Sequence, residues 1–362
     1  MSLDLFKKNE GVSEEDLHPK FKLLRDEITL QGERDILAQW TNGFIDRDNK
    51  IVKEFQTTFH SSFWEFYLFS VFREMSFEID FSKDRPDFII KKPIEIFIEA
   101  VVSNIKKEGI EESERNSDDV LSMIVPPNNQ KDFFELTDEA IVRNSNAIHG
   151  KSVKYLKKYI NCEWVNENVP FMIALSSYDQ INYGREYFYP MLALLYGYYF
   201  IPKIDNYVIR ESIIKPGTDS PIPIGIFKDK SFEHISAIIF SCTTTLGKLT
   251  SLSISEDNSD VQFNRVINIR NDYEPPHYKI QDVTKENPEY LSDGLFIFHN
   301  PNAKNKINYN QFESSNATQV TFEDGNFRFE GENTPIYSRL NLPKFMLPDE
   351  VIEMIMMDFN CK

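Results

Sequence analysis

Apolar positions along the first half of the chain follow two rhythms. Over residues 54–75 they run nearly all round a helix, which predicts one buried helix. It carries Glu65 on the side of Ser61, Leu68 and Phe72. Three runs of strand length follow, at 77–81, 86–90 and 93–102, with Lys91-Lys92-Pro93 as a turn. Residues 103–136 are polar and acidic and read as a loop or mobile insert. A helix is predicted from Thr137 as N-cap, with Asp138 and Glu139 in its first turn. Its core stripe is Ile141, Ile148, Tyr155 and Tyr159, and Gly150 inside it costs about 1 kcal/mol. Residues 169–175 and 235–240 read as buried strands, and 189–200 as a second aromatic helix. Beyond residue 255 the chain is polar and Asn-rich, with strand-like pieces at 320–322 and 327–329. This order predicts an α/β fold: a mixed central sheet flanked by helices, with a β-rich C-terminal extension. The expected organisation is a helical or irregular segment at 1–53, a core at 54–255 and the extension at 256–362.

Two acids break the apolar pattern. Asp87 opens one strand after Pro86, and Glu99 stands mid-strand among Phe97, Ile98, Ala100 and Val101. A buried carboxylate is costly without compensation. If Lys91-Lys92-Pro93 forms the loop, Ile90 pairs with Ile94 and Asp87 faces Phe97. Glu99 is then the diagonal neighbour of Asp87 on the same face, roughly 7–8 Å away at the backbone, and both reach one ion at about 2.1 Å. A two-residue loop would put them on opposite faces. Carboxylate oxygens suit Mg²⁺ or Mn²⁺ rather than softer metals.

Composition narrows the chemistry. With 57 acids against 40 bases and a net charge of −17, the chain does not coat nucleic acid non-specifically. A local groove remains open, built from Lys91, Lys92, Lys106, Lys107, Lys151, Lys154 and Lys157. No apolar run reaches the roughly 18 residues of a membrane span, and no signal peptide is read at the N-terminus. Cys162, Cys242 and Cys361 are far apart and odd in number, which fits a reducing cytoplasm. His149, His234 and His299 lack zinc-ligand spacing, and His60 reads as a core or helix-start histidine. Residues 46–50 read as a surface turn rather than a calcium loop, and 241–245 as a strand-end turn rather than a phosphate cradle. No Walker loop or dinucleotide fingerprint occurs.

Glu65 on a helix, then Pro86-Asp87, then Ile98-Glu99, resembles the PD-(D/E)XK nuclease superfamily, the restriction-endonuclease-like fold. The likeness covers roughly residues 54–240. In that family a helix carries an acid, a hairpin carries the Asp and the Glu, and a helix and further strands follow. The family strand reads Glu-x-Lys, whereas this one reads Glu99-Ala100-Val101, without the lysine that positions and activates the attacking water, a role expected here of Lys151, which would orient the water and help deprotonate it. Some members carry that lysine on a neighbouring helix. With Arg143 as zero, Lys151 lies at roughly 80° and Lys154 at roughly 20°, against a core stripe near roughly 120–160°. Lys151 is therefore the expected displaced lysine, at the edge of the buried face, and Lys154 is expected to face solvent. Arg143 is expected to grip phosphate, with Lys154 also on the substrate side. The resemblance implies a metal-dependent endonuclease acting on DNA, in bacterial defence or DNA processing. Asp87 and Glu99 would hold Mg²⁺ or Mn²⁺, with Glu65 as a further ligand. It leaves open a homodimer or a regulatory partner. The alternative is an inactive nuclease-fold protein that binds or scaffolds.

Overall fold

The computed structural model describes residues 3–105, 109–110, 114–178, 182, 184–258, 263–272 and 277–360. Helices α1 (Pro19–Asp26) and α2 (Gln31–Thr41) precede the predicted buried helix, which is two helices: α3 (Ile51–Thr57) and α4 (His60–Glu74). The break falls at Phe59, whose φ is +58°. Such a backbone is rare for a bulky residue. Here it sinks the Phe59 ring completely, stacked on Phe63 at 5.2 Å and beside Phe55 at 5.0 Å.

The meander is shorter than expected: β1 (Glu78–Ile79), β2 (Phe88–Lys92) and β3 (Ile96–Val102). Its register also differs. Ile90 pairs with Ile96 instead of Ile94, and Phe88 pairs with Ile98. Lys91 and Lys92 belong to β2, and Lys92 pairs with Glu78 of β1, so the turn lies beyond them. The shift is two residues, one full period of a strand, so every side chain keeps its face.

Short helix α5 (Ser117–Ser122) lies within the segment expected as a loop, and α6 spans Phe133–Lys157. α6 starts one turn before Thr137 because Phe133 and Leu136 are buried in the core. Gly150 does not break it: a Cβ added there would meet nothing within 4 Å. Next come β4 (Phe171–Ser176) and α7 (Tyr189–Tyr196). α7 ends earlier than expected at Gly197, which has φ +83° and lies so close to Arg210 that a Cβ would sit 2.9 Å from its carbonyl. Two small hairpins follow, β5 (Tyr198–Ile201) with β6 (Asn206–Ile209) and β7 (Ser212–Ile214) with β8 (Pro221–Pro223). The chain continues through β9 (Ile235–Ser241), α8 (Leu246–Ser255), β10 (Asn264–Asn271) and β11 (Tyr278–Asp282). It finishes with β12 (Phe296–His299), β13 (Thr318–Glu323), β14 (Asn326–Glu330), β15 (Ile336–Pro343) and α9 (Asp349–Asn360).

One mixed eight-stranded sheet runs β1-β2-β3-β4-β9-β12-β13-β14. β2 is antiparallel to β1 and β3, while β3, β4 and β9 are parallel. Helices cover both faces, as expected. α6 and α7 pack on one face, together with the β11-β10-β15 sheet and α9, and α1 to α4 with α8 pack on the other. The C-terminal segment is not a simple extension, because β12, β13 and β14 complete the main sheet. The N-terminal helices share its second core: Trp40 meets Phe63 at 5.4 Å and Tyr67 at 5.3 Å.

Candidate active site

Strand alternation decides where the acids point. Ile89 and Phe97 lie in the core under α6, and Phe88 and Ile98 in the core under α4. Asp87 and Glu99 are two residues from Ile89 and Phe97, so both face α6. The pairs Ile89–Phe97 and Phe88–Ile98, carried one step further, set Asp87 directly opposite Glu99. This is closer than the diagonal placement expected from sequence. Asp87 Oδ2 accepts the Ala100 backbone N–H at 2.7 Å, tying the two strands at this point. Arg47 fixes the loop before β2 by donating to the carbonyls of Lys83 at 2.6 Å and Asp87 at 3.1 Å.

Glu99 is 0% exposed. Its Oε1 accepts from Lys151 Nζ at 2.8 Å, Lys154 Nζ at 2.8 Å and Tyr159 Oη at 2.9 Å. Its Oε2 is buried and receives no hydrogen bond. Lys151, the expected displaced lysine, therefore reaches the strand glutamate. Lys154 does too, against the solvent-facing direction given by the helical wheel. A wheel fixes the direction of Cβ, whereas the four-carbon stem bends back over the surface with its head partly in water.

Charge and burial compete here. Burial, then the Glu99 charge, pushes the Asp87 carboxyl up to about 6. Burial would also raise Glu99, but the two lysines outweigh it and hold the carboxyl below its usual range. For Lys151 burial lowers the pKa, and the charges of Glu99 and Asp87 reverse this and raise it. Glu65 stands on α4, on the other side of the sheet from α6, and is partly buried. Burial, then the Asp87 charge, raises its carboxyl well above the normal range. Glu65 is thus in the electrostatic neighbourhood of Asp87 and Lys151. Even so, among the described residues no three His, Cys, Asp or Glu side chains are grouped to hold a metal ion. The donor chemistry nonetheless suits a hard cation: two carboxylates from adjacent strands, one with an unpartnered buried oxygen.

Arg143, expected to grip phosphate, is engaged inside the protein. Its guanidinium donates to Ser103 Oγ and to Glu186 Oε2, both at 2.8 Å, in a largely buried ion pair. Lys91 pairs with Glu95 and Lys92 with Glu78, so these two expected groove bases are matched by acids. Lys106 and Lys107 lie outside the described residues. His60 is buried at the start of α4, Ser241 Oγ accepts from the Thr243 and Thr244 amides in a strand-end turn, and Lys50 N donates to Asp46 Oδ1 in another turn. Sequence reasoning missed Arg47, Glu186 and the role of Tyr159, which had been read only as core. Compared with known proteins, the chain matches no family model, no curated protein and no solved structure. No helix among the described residues is long and apolar enough to cross a membrane.

Proposed function

We propose that this chain is a metal-dependent nuclease that hydrolyses phosphodiester bonds in DNA, on a PD-(D/E)XK-like core whose lysine has moved from the strand to α6. The observation that carries the reading is Lys151 Nζ at 2.8 Å from Glu99, beside a buried glutamate oxygen with no donor. Support also comes from the element order: acid-bearing α4, the three-stranded meander carrying Asp87 and Glu99, then α6 and the parallel strand β4. Asp87 and Glu99 would hold Mg²⁺ or Mn²⁺, with Glu65 acting nearby. When bound, such an ion supplies Lewis acidity toward the phosphate and a more acidic water. Glu99 and Asp87 keep Lys151 protonated. Its work is therefore to orient the water and offset charge growing on the phosphate, not to take the proton. Lys154 and Tyr159 fix the Glu99 carboxylate, and Arg47 fixes the strand that carries Asp87.

A plasmid nicking assay with Mg²⁺ or Mn²⁺ tests this. The wild type is expected to cut and Asp87→Ala to lose at least roughly a hundredfold in rate, as removal of a central catalytic group does. Cutting that survives the substitution overturns the assigned site. A second reading, an inactive binding or scaffold protein, is favoured by the absence of a three-acid group among the described residues and by both lysines meeting one carboxylate oxygen. Absence of cutting together with no Mn²⁺ uptake by calorimetry would select it.

A further inference from the structure

A cavity lies one step along β3 and one turn along α6 from the site. Val101 follows Glu99 by two residues and shares its face. Ala147 lies one helical turn before Lys151 on α6. Both line a cavity of about 350 Å³ together with Asn104, Asn146, Arg143 and Lys215. Asn104, Asn146 and Lys215 are exposed, and among the described residues no acid lines this cavity. An adjoining cavity of about 330 Å³ shares Arg143 and Lys215 but carries Glu135 and Glu139.

We infer that the nearer cavity is a subsite for one unpaired DNA nucleotide flanking the bond that is cut, an assignment that rests on the nuclease reading above. Its size sits at the low end of small-molecule pockets, roughly 300–1,000 Å³, which suits a nucleotide and not a duplex. Lys215 supplies a cation for a phosphate. Arg143 spends one N–H on Ser103 and one on Glu186, out of the five its guanidinium carries. The Asn104 and Asn146 amides offer donors and acceptors suited to base edges. Val101 and Ala147 give an apolar wall for the sugar. Glu135 and Glu139 then repel the next phosphate, so the strand leaves α6 after one nucleotide.

Fluorescence anisotropy with labelled dT12 and with a 12-base-pair duplex, in Ca²⁺, separates the outcomes. Asn146→Trp fills the subsite and Lys215→Glu reverses its charge, and both positions are exposed, so folding is preserved. Each is expected to weaken dT12 binding at least tenfold while changing duplex binding less than threefold. Unchanged dT12 binding in both variants overturns the subsite. Parallel nicking by the wild type and by Asp87→Ala reports on the nuclease reading separately. Wild-type cutting with dT12 binding indifferent to the groove variants sinks the subsite alone. Groove-dependent dT12 binding without cutting sinks the nuclease reading and keeps the cavity as a single-strand binding site with no role in cleavage.

Discussion

Glu99 in β3 and Glu289, in the chain between β11 and β12, are both buried carboxylates met by two cations. The Glu289 site is closed. Its Oε1 accepts from Lys248 at 2.7 Å and from Arg339, and its Oε2 accepts from Ser251, from Asn268 at 2.8 Å and from Arg339 at 3.1 Å. Lys248 is 1% exposed, and its remaining bonds go to the carbonyls of Tyr290 and Asp293. The Glu99 site is open. All three donors converge on Oε1, Oε2 has none, and the lysines are 22% and 41% exposed. A saturated, almost fully buried charge cluster holds elements together. A lopsided one, with cations that reach water and an idle oxygen, can exchange partners for an ion or a substrate.

The sharpest way to break this comparison is to neutralise each glutamate in turn. Glu289→Gln leaves Lys248 and Arg339 buried without their counter-charge, which costs roughly 3–5 kcal/mol. Glu99→Gln leaves two lysines with a route to solvent, and is expected to cost about 1 kcal/mol and, under the proposed function, to remove cutting. Urea denaturation at pH 7.5 measures both. Equal losses would mean that the Glu99 site is as structural as the other.

The acids differ in legibility as well. Asp87 and Glu99 were readable because an acid in an apolar strand is a local signal, and their shared face survived a misplaced turn because strand parity repeats every two residues. Helical phase put Lys151 at the edge of the buried face, where it meets Glu99, but sent Lys154, which meets the same oxygen, to solvent. Glu289 was not, because its partners lie 41 and 50 residues away in sequence and no periodicity joins them. Arg47 and Glu186 were hidden for the same reason. The strands β12 to β14 were read as an extension because the long-range pairing of β12 with β9, which joins them to the main sheet, leaves no local mark. The break at Phe59 was masked because an apolar run looks alike with or without one left-handed residue.

A middle-sized effect sharpens the contrast between Asp87 and Glu99. The Asp87 carboxyl sits at about 6 when folded, against about 3.9 in an unfolded chain. Between those values the folded state binds more protons, so this group's contribution falls as pH rises from about 4 through about 6. Glu99, held low, works the other way: it stabilises above its unfolded pKa, and the gain fades as pH falls through its folded value. Asp87→Asn is therefore expected to raise stability at pH 8 in EDTA by roughly 1–3 kcal/mol, with the gain vanishing below about pH 4, while abolishing cutting. Thermal melts across pH 4–8 follow it. A variant less stable than wild type at pH 8 would mean that the Asp87–Ala100 bond outweighs the burial of charge.

The smallest effect separates the two lysines. Lys154 is the more exposed, and exposed ion pairs contribute about 0.2–1 kcal/mol. After Lys154→Met, Lys151 and Tyr159 still hold Oε1 of Glu99, so stability is expected to change by less than about 1 kcal/mol and the nicking rate to fall only a few-fold. Lys151→Met removes the cation that Asp87, Glu99 and Glu65 all feel, and is expected to remove cutting altogether. Parallel single-turnover assays of the two variants decide. If both lose activity equally, the lysines act as one unit and Lys151 loses its place as the displaced lysine. If Lys154→Met is the more damaging, the water-orienting role passes to the outer lysine, and the site faces solvent more directly than the packing of α6 implies.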